Sequence, residues 1–180
     1  MWMHPICLVS EAAEFAAHRH TGMARKGRGN EPYINHLAEV ANLLATALGG
    51  RDADLIAAGW LHDTIEDTST TQDELAKKFN EHVADLVAEV TDDMRLPKST
   101  RRQLQVVDAP GKSRSAKLIK IADKISNIRA RIHSDPSAEE RADLIDYVDW
   151  AEQVAAGCRG VNAALDRMFD DTVKLARSSP

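Results

Sequence analysis

Ser115-Ala116-Lys117-Leu118-Ile119-Lys120-Ile121-Ala122-Asp123-Lys124-Ile125-Ser126-Asn127-Ile128-Arg129-Ala130-Arg131-Ile132 reads as one continuous helix. Leu118, Ile121, Ile125, Ile128 and Ile132 recur at steps of three and four, the period that gathers side chains on one helical face. Asp123 lies inside this apolar pattern, and Asn127, four residues on, shares its face. A carboxylate buried there without a partner is costly. It therefore either pairs with Lys120 or Arg129 or serves as a ligand.

The same helical period extends in both directions. Ile6 to His20 forms a first helix, with Val9, Ala13, Ala16 and Ala17 on one side. Gly22 to Glu31 is rich in glycine and charge and reads as a loop. Pro32 suits the first turn of a second helix that carries His36, Val40, Leu43, Leu44 and Ala47 and stops at Gly49-Gly50. A third helix spans about Asp52 to Asp63. Thr71-x-x-Glu74 resembles a capping box, and Val83, Leu86, Val87 and Val90 mark a fifth amphipathic segment. Thr91 to Lys98 reads as a loop, Ser99 to Val107 as a helix, and Pro110-Gly111 as a break. Ser137-x-x-Glu140 is a second capping box. It opens one or two long helices to about Ala176, with Gly157 or Gly160 as the interruption. No segment alternates with period two, so the fold class is all-α, a compact bundle of roughly eight to ten helices.

Composition agrees. The chain has 180 residues, enough for one domain across 1–180 and too few for two. It holds 27 Ala and 15 Leu but only 4% aromatics, a balance that favours helical contacts over strand-type ones. No apolar run approaches the roughly 18 residues of a membrane span, and the first ten residues lack the basic start of a secretory signal. Cys7 and Cys158 give neither a disulfide framework nor a CxxC site, and they fit two free thiols in a reducing cytoplasm. Net charge is −5, unevenly spread. Arg95 to Arg131 holds eleven Lys/Arg against two Asp/Glu, a net of +9 in an otherwise acidic chain. Such a segment suits local handling of a polyanion. Nucleic acid is disfavoured, because no zinc-finger or RNP-type signature is present and aromatics are sparse.

The chemistry centres on Leu61-His62-Asp63-Thr64-Ile65-Glu66-Asp67-Thr68. If the third helix continues, Glu66 falls four residues after His62 and Asp67 four after Asp63, on one face. One imidazole and three carboxylates so close repel unless a cation sits among them. His36 and Asp123 complete a set of two nitrogens and two oxygens with His62 and Asp63. With no thiolate, that set suits Mn²⁺ or Fe²⁺, and Zn²⁺ also fits.

These blocks resemble the HD-domain phosphohydrolases, with their pattern His…His-Asp…Asp. More narrowly they are similar to the alarmone hydrolase domain of the Rel/SpoT family. The matching blocks are Arg25-Lys26 with Glu31 to His36, then Leu61 to Thr68, then Val90 to Asp93 with Leu96-Pro97-Lys98, and finally Ala116 to Arg129. The likeness runs from about Glu11 to Asn162. It leaves no room for a synthetase region, as in the stand-alone small alarmone hydrolases that include the metazoan SpoT homologue. Met23 stands where the family usually has Gln, and Leu37 where it usually has Pro.

The resemblance implies an HD-type domain holding one metal ion, usually Mn²⁺, on His36, His62, Asp63 and Asp123. It implies that Glu66 and Asp67 are the acidic pair of catalysis, without dividing acid from base between them. It implies that Arg25 and Lys26 contact the nucleotide, Arg25 by stacking on a purine. Asn127 would lie near the ribose and scissile phosphate, with Lys98, Arg102 and Tyr147 toward the distal phosphate and base. The expected activity is hydrolysis of (p)ppGpp at the 3′ position, giving GDP or GTP and pyrophosphate. Alternatives are removal of the 2′-phosphate of NADPH, an adenosine analogue of the alarmone as substrate, or a non-catalytic nucleotide-binding module. The expected partner is a small-molecule nucleotide in the cytoplasm, with neither nucleic acid nor membrane involved.

Overall fold

In the computed structural model, which describes residues 3–25, 31–132 and 136–179, regular structure is helical. Ten α-helices and one 3₁₀ turn occur among the described residues: α1 (Pro5–Arg19), α2 (Ile34–Leu48), α3 (Ala53–Leu61), α4 (Thr64–Asp67), α5 (Gln72–Lys78), α6 (Glu81–Val90), α7 (Lys98–Asp108), the turn Ala109–Gly111, α8 (Arg114–Arg129), α9 (Ala138–Cys158) and α10 (Ala163–Ser178). The only extended pairing among them is an isolated bridge between Ala24 and Pro32. Pro32 therefore precedes the second helix by two residues rather than opening it.

Local chemistry explains most of the boundaries. Asp52, Asn80 and Ser113 each accept a hydrogen bond from the backbone three residues on and start α3, α6 and α8. Ser137 and Glu140 form a complete capping box at α9. The Thr71–Glu74 box is half made: Thr71 accepts from Glu74 N, but the Glu74 carboxylate pairs with Arg19. Gly49 ends α2 with φ +60°, the left-handed conformation that glycine adopts without strain. Gly160, at φ +87°, lies in the break that divides the last segment into α9 and α10.

The α8 helix runs through the middle and touches α2, α3, α6, α9 and α10. Its Leu118, Ile119, Ile121, Ala122, Ile125 and Ile128 are all buried. The α2 and α3 helices pack closely because residue 59 is glycine. A Cβ there would lie 2.6 Å from Leu44 Cδ1 and 3.3 Å from Ala41 Cα. Cys158 is buried and Cys7 exposed, both unpaired. Among the described residues, no helix is long and apolar enough to cross a membrane.

The third helix, read as Asp52 to about Asp63, does not run on as one helix to Asp67. It ends at Leu61, and His62 and Asp63 form a turn before the single turn of α4. The His62 imidazole is drawn back to its own helix: Nδ1 lies 2.9 Å from Gly59 O. A carbonyl only accepts, so Nδ1 carries a proton and Nε2 is the nitrogen that points onward.

Candidate active site

Three distant stretches meet at the end of α3. The turn supplies His62 and Asp63, α2 supplies His36 and α8 supplies Asp123. His36 Nε2 is 3.4 Å from Asp63 Oδ2 and 3.3 Å from Asp123 Oδ1. His62 Nε2 is 3.1 Å and 3.8 Å from the same two oxygens. Ligand atoms of His36, His62 and Asp123 all lie within 4.8 Å of one another. Asp63 closes the group and accepts a hydrogen bond from Tyr33 OH at 2.6 Å. Asp123 is paired neither with Lys120 nor with Arg129. Its partners are Lys124 Nζ at 2.8 Å and Asn127 Nδ2 at 2.5 Å.

The donor set fits a divalent cation. His62 Nε2 is buried and makes no hydrogen bond, although Asp63 Oδ2 is near, because the two are not aligned for one. Two imidazole nitrogens and two carboxylates gathered this closely are a donor set for a divalent metal. The electrostatics agree. Burial alone would push both imidazoles toward neutrality, yet Asp63 and Asp123 outweigh it, holding His62 up at about 10 and raising His36 as well. Without added positive charge, the carboxylates keep protons on the rings that would ligate a metal.

Above this cluster opens a cleft of about 480 Å³. Glu66 and Asp67 line it from α4. Lys98, Arg101 and Arg102 line it from α7, Lys120 and Lys124 from α8 and Arg131 from the turn after α8, with Tyr147 and Trp150 from α9. The basic segment is thus folded over the acidic cluster. Burial and the nearby Asp63 charge raise the Glu66 carboxyl to about 7, and the same two causes raise Asp67. Arg101 NH1 lies 3.5 Å from Glu66 Oε1, and the Asp92 backbone N–H donates to Glu66 Oε2 at 3.1 Å. Lys120 Nζ donates to Val90 O at 2.8 Å, and burial lowers its pKa. Arg102 pairs with Asp146 and lies over the Trp150 ring.

Of the residues singled out from the sequence, His36, His62, Asp63 and Asp123 converge. Glu66, Asp67, Lys98, Arg102, Asn127 and Tyr147 line the cleft. Tyr147 is buried, with the Arg131 guanidinium 3.8 Å from its ring centre. Lys26 lies outside the described residues. Arg25 borders a smaller cavity of about 460 Å³ with Tyr33, Asp67, Asn127 and Arg131, but its guanidinium turns inward behind His36 and is 8% exposed. Tyr33, Arg101, Lys120 and Lys124 were not anticipated. The basic run signalled the last three as a class, and nothing in the sequence distinguished them from neighbouring cations.

The model of the HD domain family matches residues 12–146. The guanosine-3′,5′-bis(diphosphate) 3′-pyrophosphohydrolase MESH1 of Homo sapiens is 44% identical over 164 residues, covering 91% of this chain and 92% of that protein. Its counterpart from Xenopus tropicalis is 42% identical over 163 residues and 91% of each chain. A solved structure described as a metazoan orthologue of SpoT that hydrolyses ppGpp superimposes with a TM-score of 0.87, at 34% identity over 98% of both chains. The chain belongs to the HD domain family.

Proposed function

We propose that this HD-domain chain is a metal-dependent hydrolase of (p)ppGpp, removing the 3′-diphosphate as pyrophosphate and leaving GDP or GTP. The similarity to MESH1 along nearly the whole chain supports the substrate. The observation that carries the chemistry is the buried, unbonded His62 Nε2 facing His36, Asp63 and Asp123 beneath a cleft lined with cations.

His36, His62, Asp63 and Asp123 would hold the ion. Two nitrogens and two oxygens with no thiolate favour Mn²⁺, with Fe²⁺ or Zn²⁺ as alternatives. When bound, the ion supplies Lewis acidity toward the phosphoryl group and toward water. The chain's own groups do the rest. With a pKa of about 7, Glu66 can take a proton from water or return one to the leaving oxygen at neutral pH. Asp67, raised as well, is the second member of the pair. Arg101 beside Glu66 steadies its ionised form. Lys98, Arg102 and Arg131 meet phosphates that are not being cleaved, and Lys124 and Asn127 hold the Asp123 carboxylate in place. The planar faces of Tyr147 and Trp150 offer a stacking surface for the base. The residues act within one domain, and the two unpaired thiols suit the cytoplasm.

The test is to incubate the purified chain with ppGpp and Mn²⁺ and to measure GDP and pyrophosphate, alongside NADPH and the adenosine analogue. Stoichiometric release of GDP and pyrophosphate, with the highest kcat/KM for ppGpp, is expected. No turnover of ppGpp with any of the three ions overturns the proposal.

A further inference from the structure

The two imidazoles of the cluster are held from behind by different means. His62 is fixed by a backbone carbonyl, Gly59 O. Behind His36 lies a knot of side chains from three places in the sequence. His36 Nδ1 is 2.9 Å from Ser126 Oγ and 3.2 Å from Arg25 NH2. Ser126 Oγ is 2.6 Å from Glu39 Oε2. Arg25 NH2 lies 2.8 Å from Ser126 O and 3.0 Å from Ser126 Oγ. Ser126 is fully buried, and Arg25 and His36 nearly so.

With Nε2 as the ligand atom of the metal-dependent reading, His36 Nδ1 carries the proton, and the surrounding contacts then fit together. Glu39 is ionised: burial opposes this, but the Ser126 hydroxyl and Arg129 hold its pKa down. As a carboxylate it only accepts, so the single Ser126 hydroxyl proton goes to Glu39. The two protons of Arg25 NH2 go to Ser126 O and Ser126 Oγ. Arg25 has no lone pair to offer, so the acceptor for His36 Nδ1–H is Ser126 Oγ. That oxygen then donates once and accepts twice, which fills its valence. Nε2 is the nitrogen left to face Asp63 and Asp123.

We propose that Ser126, Glu39 and Arg25 form a positioning cluster that fixes the tautomer and orientation of His36 and so sets the metal affinity of the site. This rests on the metal-dependent reading above. Arg25 acts here through His36, neutralising Glu39 from 3.8 Å and filling the second acceptor position of Ser126, not by stacking on a base. Partners of this kind typically change metal affinity by about 10–100-fold.

Mn²⁺ titration calorimetry without nucleotide tests it, using the full chain and the variants Ser126→Ala, Glu39→Ala, Arg25→Met and Ser126→Thr. Ser126→Ala should weaken Mn²⁺ binding by about 10–100-fold. Glu39→Ala and Arg25→Met should shift it in the same direction, and Ser126→Thr, which keeps the hydroxyl, should restore it. KM for ppGpp at saturating Mn²⁺ should not move in Ser126→Ala or Glu39→Ala. Thermal melts identify any variant that fails to fold, and half-buried Glu39→Ala keeps the test decisive if Ser126→Ala does. Unchanged Mn²⁺ affinity in folded variants, with a raised KM, overturns the inference and returns Arg25 to the nucleotide. A wild-type chain that takes up no Mn²⁺, Fe²⁺ or Zn²⁺ overturns the metal reading and this inference together. Binding by wild type and variants alike removes the inference only.

Discussion

The inner wall of the cleft, where His36, His62, Asp63 and Asp123 meet, rises from α2, α3 and α8, whose apolar faces form the core. The outer wall is α7, no side chain of which is buried, and which carries Leu104 and Val107 out in solvent. The inner groups are each held by a second contact: Gly59 O for His62, Ser126 for His36, Tyr33 for Asp63 and Lys124 for Asp123. The outer cations reach the cleft from a helix seated on α9 and on the turn after it. The difference follows from how steeply the two kinds of interaction depend on distance. Coordination and hydrogen bonds fail within about half an ångström of misplacement. Coulomb attraction falls only as the inverse of separation. Directional chemistry therefore needs the core beneath it, whereas charge compensation can be delivered from a loosely packed helix.

The sharpest way to break this contrast is to change the inner wall. Asp123→Asn should abolish detectable metal uptake and lower turnover by at least about 10³-fold, because several kcal/mol of charge stabilisation go with the ion. Metal analysis and initial rates check both. Glu66→Gln should cost about 10²–10⁴-fold in kcat and remove any rate-limiting ionisation near pH 7. The same change should stabilise the metal-free protein. A carboxyl raised from 4.5 to about 7 favours the fold fully below its unfolded value, and that advantage is lost as pH rises through 7. Above pH 8 the glutamine variant should therefore gain up to about 3 kcal/mol over wild type, less for partial exposure, and nothing at pH 4. Denaturant titrations at the two pH values read this directly.

Changes on the outer wall should be milder. Lys98→Gln with Arg102→Gln should raise KM about tenfold at low salt, with the effect shrinking as ionic strength grows. A salt-independent loss of kcat would mean that α7 does directional work and would erase the contrast. Last, Val107→Ser should change stability by no more than about 0.5 kcal/mol, while Ile125→Ala in α8 should cost about 2–5 kcal/mol. Amide exchange should be fastest in α7 and slowest in α8.

The α8 helix was legible because its isoleucines repeat with the helical period over four turns, and α7 because its bounds are set by Pro97 and the Pro110-Gly111 break. The break at His62-Asp63 was not legible. Leu61-His62-Asp63-Thr64-Ile65 contains neither glycine nor proline to mark it. Asp123 could be picked out as a polar residue in an apolar run. Ser126 could not, because a serine beside Asn127 carries no mark of its contact with a glutamate 87 positions earlier. Arg25 was read as a nucleotide contact from a loop, and nothing local signals its hydrogen bonds to Ser126.

Gly59 sets one more constraint. Glycine-to-alanine exchange in a helix is a routine step toward thermostability, with a local gain of about 1 kcal/mol. At this position the added methyl would meet Leu44 and the Ala41 backbone and act as a wedge between the helices that carry the two histidines. The routine exchange would here trade a local gain for a displaced pair of helices, and with it the spacing of the two imidazoles.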